Sequence, residues 1–307
     1  WRDPITLNFG QYKLISMPPP SSGGVALSQL ILMASQFDFD TLNHNGTKYI
    51  HILSEIEKRV YADRAKHLGD QDYYNVPLAQ LLDYNYNQKR CQEISESLAT
   101  PSNKILHGEF KNDESEETTH FSVLDDKGNA VSITTTLNTN YGSKLFVDEY
   151  GFLLNNEMDD FSSKPGFPNT YGLIGSEANS IEPGKRMLSS MTPSIIEKKG
   201  NLHIVVGTPG GSTIITSIFQ TLLNVILFNM DIVSAVNSPR FHHQWRPEYI
   251  YMEEELYSKS LEDSLLYIGH IIKSRSSIGH VNAIMYNDNT VTVAADKRGD
   301  NSAQLVR

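Results

Sequence analysis

The acidic run Asn112-Asp113-Glu114-Ser115-Glu116-Glu117 has no apolar anchor and stops abruptly at Thr118, where a β-branched, alternating pattern begins. Thr118-Thr119-His120-Phe121-Ser122-Val123 is followed by Asp126-Lys127-Gly128-Asn129 and then by a second alternating run, Ala130 to Asn138. Two such runs around a short polar turn predict a β-hairpin. The boundary carries chemistry as well. Cleavage before Thr118 would leave a free α-amine and a hydroxyl on one residue at the head of a strand, the minimum for an N-terminal nucleophile whose own amine serves as base. An α-amine titrates at roughly 7.7–8.0, so part of it is neutral at working pH. Taken alone, a threonine pair opening a strand is no more than β propensity.

Composition narrows the function classes. A chain of 307 residues, 39% hydrophobic and 20% charged, is large enough to bury a core as one large or two modest domains. Its net charge of −10 argues against a nucleic-acid partner, which needs a basic face. The single cysteine, Cys91, excludes an internal disulfide and a cysteine-rich zinc site and reads as an inert thiol on a helix. No apolar run is long enough to cross a bilayer, and Trp1-Arg2-Asp3-Pro4 has no signal-peptide character.

Along the chain, residues 11–17 alternate as a strand and three prolines then impose a stiff turn up to Gly24. Helical spacing follows over 25–37 and 48–68, with two shorter helical patterns between Pro77 and Leu98. The pair Asp63-Arg64 reads as a solvated or structural pair with no catalytic role. From Thr100 to Glu117 a polar connection reads as mobile and exposed. A strand is expected over 151–155, a long loop from Ser162 to Arg186, a buried strand over 203–207 and a helix over 211–228. A short helix over 232–237, a strand over 249–252, a helix over 261–268 and a hairpin around Asn287-Asp288-Asn289 complete the pattern. Thr208-Pro209-Gly210-Gly211-Ser212, between strand and helix, offers unobstructed backbone N–H groups suited to an oxyanion. A phosphate-binding turn is the competing reading, but no G-x-G-x-x-G is present and no Lys-Ser/Thr follows the glycines. Asn156-Glu157-Met158-Asp159-Asp160 lacks the ligand spacing of a calcium loop, and His242-His243 has no zinc-site partner, so no metal and no cofactor is expected.

Met17-Pro18-Pro19-Pro20-Ser21-Ser22-Gly23-Gly24, Thr118-Thr119-His120, Leu154-Asn155-Asn156-Glu157-Met158-Asp159-Asp160-Phe161, Leu188-Ser189-Ser190-Met191-Thr192-Pro193 and Gly207-Thr208-Pro209-Gly210-Gly211-Ser212 occur in one order. Together they make residues 12–298 resemble the C-terminal part of the γ-glutamyltransferase (glutathione hydrolase) family. The resemblance implies an α+β fold, the four-layer αββα sandwich of N-terminal nucleophile hydrolases. Residues 1–117 would end the large-subunit region with a mobile linker, and 118–307 would form the small subunit, both building one sandwich. It implies self-cleavage before Thr118, attack by Thr118 on the γ-amide of glutathione or a related donor, and transfer of the acyl group to water, an amino acid or a peptide. Thr136 would hydrogen-bond the nucleophile, and Gly210 and Gly211 would form the oxyanion hole. Asn138, Glu157 and Asp160 would hold the substrate amine, Ser189 and Ser190 its carboxylate, and Tyr171 would act as a lid or simply pack down. Family members carry a further upstream segment, including a carboxylate-binding arginine, so the sequence looks like part of a longer protein. The resemblance also places it in the periplasm or outside the cell.

Two alternatives remain at this stage. One keeps the chemistry and changes the acyl group, as in poly-γ-glutamate depolymerases and cephalosporin acylases. The other is an uncleaved, non-catalytic fragment, which a denaturing gel distinguishes from a pair of pieces covering residues 1–117 and 118–307.

Overall fold

The computed structural model describes residues 1–108, 119–169, 172–287 and 290–306, with Thr119 described in its backbone alone. Thr118 and Tyr171 therefore lie outside the described residues. The chain opens with β1 (Ile5–Phe9) and β2 (Tyr12–Ser16), followed by α1 (Gly23–Ala34), α2 (Thr47–His67), α3 (Leu78–Leu81) and α4 (Tyr84–Gln92). The hairpin is β3 (Thr119–Leu124) and β4 (Ala130–Thr135), and a small ribbon follows, β5 (Phe146–Val147) with β6 (Phe152–Leu153). Then come β7 (Ser194–Lys198), β8 (Asn201–Gly207), α5 (Thr213–Ile226) and α6 (Ile232–Asn237). The chain continues through β9 (Phe241–His242), β10 (Ile250–Glu253), α7 (Lys259–Tyr267), β11 (Ile272–Arg275), β12 (Asn282–Asn287) and β13 (Thr290–Ala295).

Six strands form one antiparallel sheet in the order β1-β2-β7-β8-β12-β13. Its core face is covered by α1 and α5, with α2 packed on α1. Helix α1 is buried along its whole length, which its almost uniformly apolar sequence allows. Strand β8 is buried on both faces: Ile204 and Val206 join the core under the helices. The alternate residues Val205 and Gly207 turn to the opposite face, where the β3–β4 hairpin packs. The layers are helices, sheet and hairpin, an α+β arrangement as expected.

Glycine makes the hairpin's close approach possible. A Cβ on Gly207 would lie 2.2 Å from Cε1 and Nδ1 of His120. The His120 ring is held there by Thr134 Oγ1 at 2.9 Å and Ser122 Oγ at 2.9 Å, while Ser132 Oγ donates to the Val206 carbonyl at 3.2 Å. On the other face of the hairpin Phe121, Val123, Val131 and Ile133 are 37–51% exposed, an apolar surface that no described residue covers.

Of the two readings of Asp63-Arg64, solvated or structural, the second holds: each is 1% exposed, because α2 runs through the interior with 17 of its 21 residues buried. One expectation is corrected. The connection after Thr100 is not loose up to Gly108. Ser102 and Ile105 are buried, Thr100 N donates to Glu55 Oε1 at 3.0 Å, and Trp245 Nε1 donates to the Ser102 carbonyl at 2.9 Å. Strands β1, β5, β7, β9 and β11 were not among the expected elements; β5 and β9 have two residues each, and β11 is too polar to alternate visibly.

Replacing Gly207 by Ala forces the hairpin off the sheet. We expect a loss of about 1–3 kcal/mol, as for other overpacked sites, read as a lower urea midpoint with an unchanged slope.

Candidate active site

Three chain segments converge from the hairpin, the Glu157 turn and the serine turn. The last described pair of the hairpin is Thr119 with Thr135, and Thr136 follows directly. Thr136 Oγ1 accepts from Asn138 N at 2.8 Å, which fixes the turn out of β4. Asn138 adopts φ 73, a left-handed conformation that asparagine tolerates better than most residues. It is buried, and its Nδ2 donates to the Asn156 carbonyl at 3.2 Å. Its Oδ1 is a buried acceptor with no donor among the described residues. Asn156 N in turn donates to the Leu137 carbonyl at 3.1 Å, binding the hairpin exit to the short 3-10 turn Glu157–Asp160. Asp160 is fully buried, and burial raises the carboxyl of the half-buried Glu157 above its ordinary value.

Asn179 joins this acidic turn to the serine turn. Its Nδ2 donates to the Asp160 carbonyl at 2.7 Å and its Oδ1 accepts from Leu188 N at 3.2 Å. It is itself fully buried. No signal in the 162–186 loop singled it out, since an asparagine among prolines and glycines reads as turn chemistry. Ser189 is clamped through its backbone: its N donates to the Pro20 carbonyl at 2.8 Å and its carbonyl accepts from Ser22 N at 2.7 Å and Ser22 Oγ at 2.8 Å. The role of Pro18–Gly24 is thereby visible. A Cβ on Gly23 would stand 2.3 Å from the Met191 carbonyl oxygen, so only glycine lets the two turns meet. Ser189 Oγ accepts from Met191 N at 2.9 Å, which leaves its proton to donate, and Ser190 Oγ accepts from Arg64 Nη2 at 3.2 Å.

The glycine turn follows β8 directly, three residues beyond the His120–Gly207 contact. Gly210 has φ 138 and Gly211 φ 59, conformations that favour glycine. The Gly210 carbonyl accepts from Thr213 N at 3.1 Å and Thr213 Oγ1 at 2.7 Å. Neither glycine N–H donates to any described residue, and both sit at the N-terminus of α5, where the helix dipole favours negative charge. The Tyr61 hydroxyl donates to the Ser212 carbonyl. Hydrogen bonds through Asn156 and Asn179 thus link the segments that carry Asn138, Glu157, Asp160, Ser189 and Ser190, while Gly210 and Gly211 follow the strand whose last residue, Gly207, meets His120 of the hairpin. Thr136 joins the linked segments through Asn138 N.

Of the described residues, His51, Glu55 and His270 lie close enough to invite a metal. Their surroundings oppose one. Glu55 already carries the buried Lys58 ammonium at 2.9 Å and the Arg59 guanidinium at 2.7 Å, and His51 Nδ1 is closed by His270 Nε2 at 2.7 Å. Although burial alone would raise it, those two cations hold the Glu55 carboxyl down at about 2. His242 and His243 are both buried, with His242 bonded to Thr216 Oγ1 at 2.8 Å and Gln244 Oε1 at 2.9 Å.

The family described as gamma-glutamyltranspeptidase matches residues 1–306. The glutathione hydrolase proenzyme of Pseudomonas aeruginosa is 44% identical over 313 residues, covering 100% of this chain and 55% of the relative. The Escherichia coli glutathione hydrolase proenzyme is 41% identical, covering 97% of this chain and 51% of the relative. The chain thus spans about half the length of the curated relatives it matches. Among solved structures, the γ-glutamyltranspeptidase of Pseudomonas nitroreducens complexed with L-DON superposes at TM-score 0.60 and 47% identity, covering 62% of this chain and 100% of that one. A cephalosporin acylase from Bacillus halodurans shares the fold over 98% of this chain and 52% of its own, at TM-score 0.81 and 20% identity.

Burial pushes the imidazoles of His67 and His120 down to about 4 and those of His242 and His270 to about 3, against 6.5 unperturbed. The stability gained by keeping them neutral is full above pH 6.5 and is lost as pH falls through 4 toward 3. Thermal melts should show a falling midpoint across that window, and a flat profile would contradict the burial.

Proposed function

The chain belongs to the γ-glutamyltranspeptidase family, and on that premise we propose that it carries the catalytic half of a glutathione hydrolase/γ-glutamyltransferase. The observation that carries the proposal is the glycine turn: two N–H groups at a helix N-terminus, without acceptors among the described residues, three and four residues after the Gly207 that meets His120 of the strand beginning after Thr118. Such donors stabilise the oxyanion of acyl transfer.

In the proposed reaction the Thr118 hydroxyl oxygen attacks the γ-carbonyl carbon of the donor while the Thr118 α-amine takes its proton. The oxyanion is held by the Gly210 and Gly211 N–H groups. The C–N bond then breaks, the departing amine receives the proton, and a γ-glutamyl ester remains on Thr118. Water or an acceptor amine attacks that ester, and the threonine oxygen leaves with a proton. Maturation uses the same oxygen. Attack on the Glu117 carbonyl moves the acyl bond from nitrogen to oxygen, and water releases the Glu117 carboxylate and the Thr118 amine. The pattern of coverage supports this division, since residues 118–307 make up the same share of the chain, 62%, that the separate P. nitroreducens chain covers.

Asn138 Oδ1, Glu157 and Asp160 supply acceptors for the donor's ammonium, and Ser189 and Ser190 supply hydroxyls for its carboxylate. Tyr171 as lid and Thr136 as partner of the nucleophile rest on family resemblance. So does placement in the periplasm or outside the cell. The part of the relatives that this chain does not span would cover the apolar outer face of the hairpin and bring the carboxylate-binding arginine. The glutathione hydrolases at 44% and 41% stand nearer than the acylase ACY 1 proenzyme of Pseudomonas sp. strain V22 at 35%, which favours a γ-glutamyl donor.

In the full-length protein, Thr118→Ala should leave one uncleaved band and release no product from a γ-glutamyl anilide. Activity surviving that change would remove the assignment. Asp160→Asn should raise KM for the same anilide roughly 10- to 100-fold, the scale of about 1.4–2.8 kcal/mol in lost charge-assisted bonding.

A further inference from the structure

The oxyanion donors and the carboxylate-binding hydroxyls sit on different chain segments, yet both are tied to a single turn of α2. Tyr61 donates its hydroxyl proton to the Ser212 carbonyl in the first turn of α5. Its ring meets the His242 ring edge-on at 5.6 Å, and His242 in turn holds Thr216 of the same helix. Three residues further on, Arg64 donates from Nε to Ser22 Oγ at 3.0 Å and from Nη2 to Ser190 Oγ at 3.2 Å. Both side chains are 1% exposed, and the Arg64 guanidinium lies 5.9 Å from the Tyr61 ring centre, so the two also touch one another. Residues at this spacing share one face of a helix and are separated along its axis by about 4.5 Å.

Resting on the reading of Gly210-Gly211 as oxyanion hole and Ser189-Ser190 as carboxylate site, we propose that Tyr61 and Arg64 are paired positioning residues. Together they set the span between the two sites and thereby select the length of the acyl chain. The γ-glutamyl donor of the proposed reaction has its reacting carbonyl two methylenes from its α-carbon, and that is the spacing the pair would hold. A β-aspartyl donor is one methylene short and an aminoadipyl donor one too long, so either seats its carboxylate or its carbonyl, but not both. Both would act through the Ser212, Ser22 and Ser190 groups they hold. A one-methylene discrimination by packing is ordinarily modest, on the order of 10- to 200-fold. Rigid anchoring of both ends by buried polar groups is what holds it at the upper end of that range.

The test uses the full-length, self-cleaved protein and three anilides, γ-glutamyl, β-aspartyl and δ-aminoadipyl. Tyr61→Phe keeps the ring and removes only the bond to Ser212, so kcat on the γ-glutamyl anilide should fall roughly tenfold at nearly constant KM. Arg64→Lys keeps the charge and loses the fork, so KM should rise roughly tenfold at nearly constant kcat. In both, the ratio of kcat/KM for the γ-glutamyl anilide to that for the other two should fall at least fivefold. Appearance of the two cleavage products in each variant certifies that it folded. If the three substrates lose rate in parallel and the ratio stays at its wild-type value, the ruler is overturned while the assigned activity stands. If the wild-type protein releases no γ-glutamyl anilide, both fall. A variant that fails to cleave is replaced by the other, since either alone must shift the ratio.

Discussion

The structure depends on burying a charged helix. α2 takes Glu55, Glu57, Lys58, Arg59, Asp63 and Arg64 into the interior, and desolvating such groups costs several kcal/mol per ion unless each finds a partner. Glu55 pairs with Lys58 and Arg59 within the helix, and the other partners come from distant pieces of chain. Lys58 reaches the Thr100 carbonyl, Asp63 takes the Arg90 guanidinium at 3.2 Å and Gly108 N at 2.9 Å, and Glu57 accepts from His243 N at 2.8 Å. Breaking one buried partnership of this kind costs about 3–5 kcal/mol. The helix therefore acts less as a packing cylinder than as a polar spine. It fixes the chain that leads toward the Glu117–Thr118 bond on one side and the glycine and serine turns on the other.

Around that spine the site is assembled by close approaches that only glycine permits. Gly207 admits His120 and so seats the hairpin against β8, and Gly23 admits the Met191 carbonyl and so seats the serine turn against the proline-rich one. The hairpin's two faces then divide its tasks. His120 and Ser132 bind it to the sheet, while Phe121, Val123, Val131 and Ile133 present an apolar surface. About half the length of the relatives is not spanned here. In the proposed function the unspanned part of the relatives would lie over that surface.

Much of this was legible in the sequence for physical reasons. The hairpin announced itself by period-2 alternation around Asp126–Asn129, since one of its faces packs on the sheet, and α1 and α5 by apolar residues at helical spacing, dense because both helices are buried on nearly every side. The short helix over 232–237 agrees in both its ends. The candidate site residues were proposed from motifs alone, since neither composition nor periodicity distinguishes Thr136 or Asn156–Asp160 from their neighbours. Legibility failed where burial is polar. Asp63-Arg64 stays open between solvated and structural because local sequence cannot show that Arg90, Ser22 and Ser190 come from far along the chain to meet them. Asn179 was hidden in the same way. Ile105 was overlooked because the isolated apolar pair Ile105-Leu106 in a polar stretch has no period.

The account turns on which oxygen carries the acyl group. Enzyme quenched with acid during turnover of a γ-glutamyl anilide, digested and read by mass spectrometry, should show one γ-glutamyl increment on the peptide that begins with Thr118, located on that residue's hydroxyl. An increment on any other residue, or steady turnover with that peptide unmodified and still joined to Glu117, would contradict it.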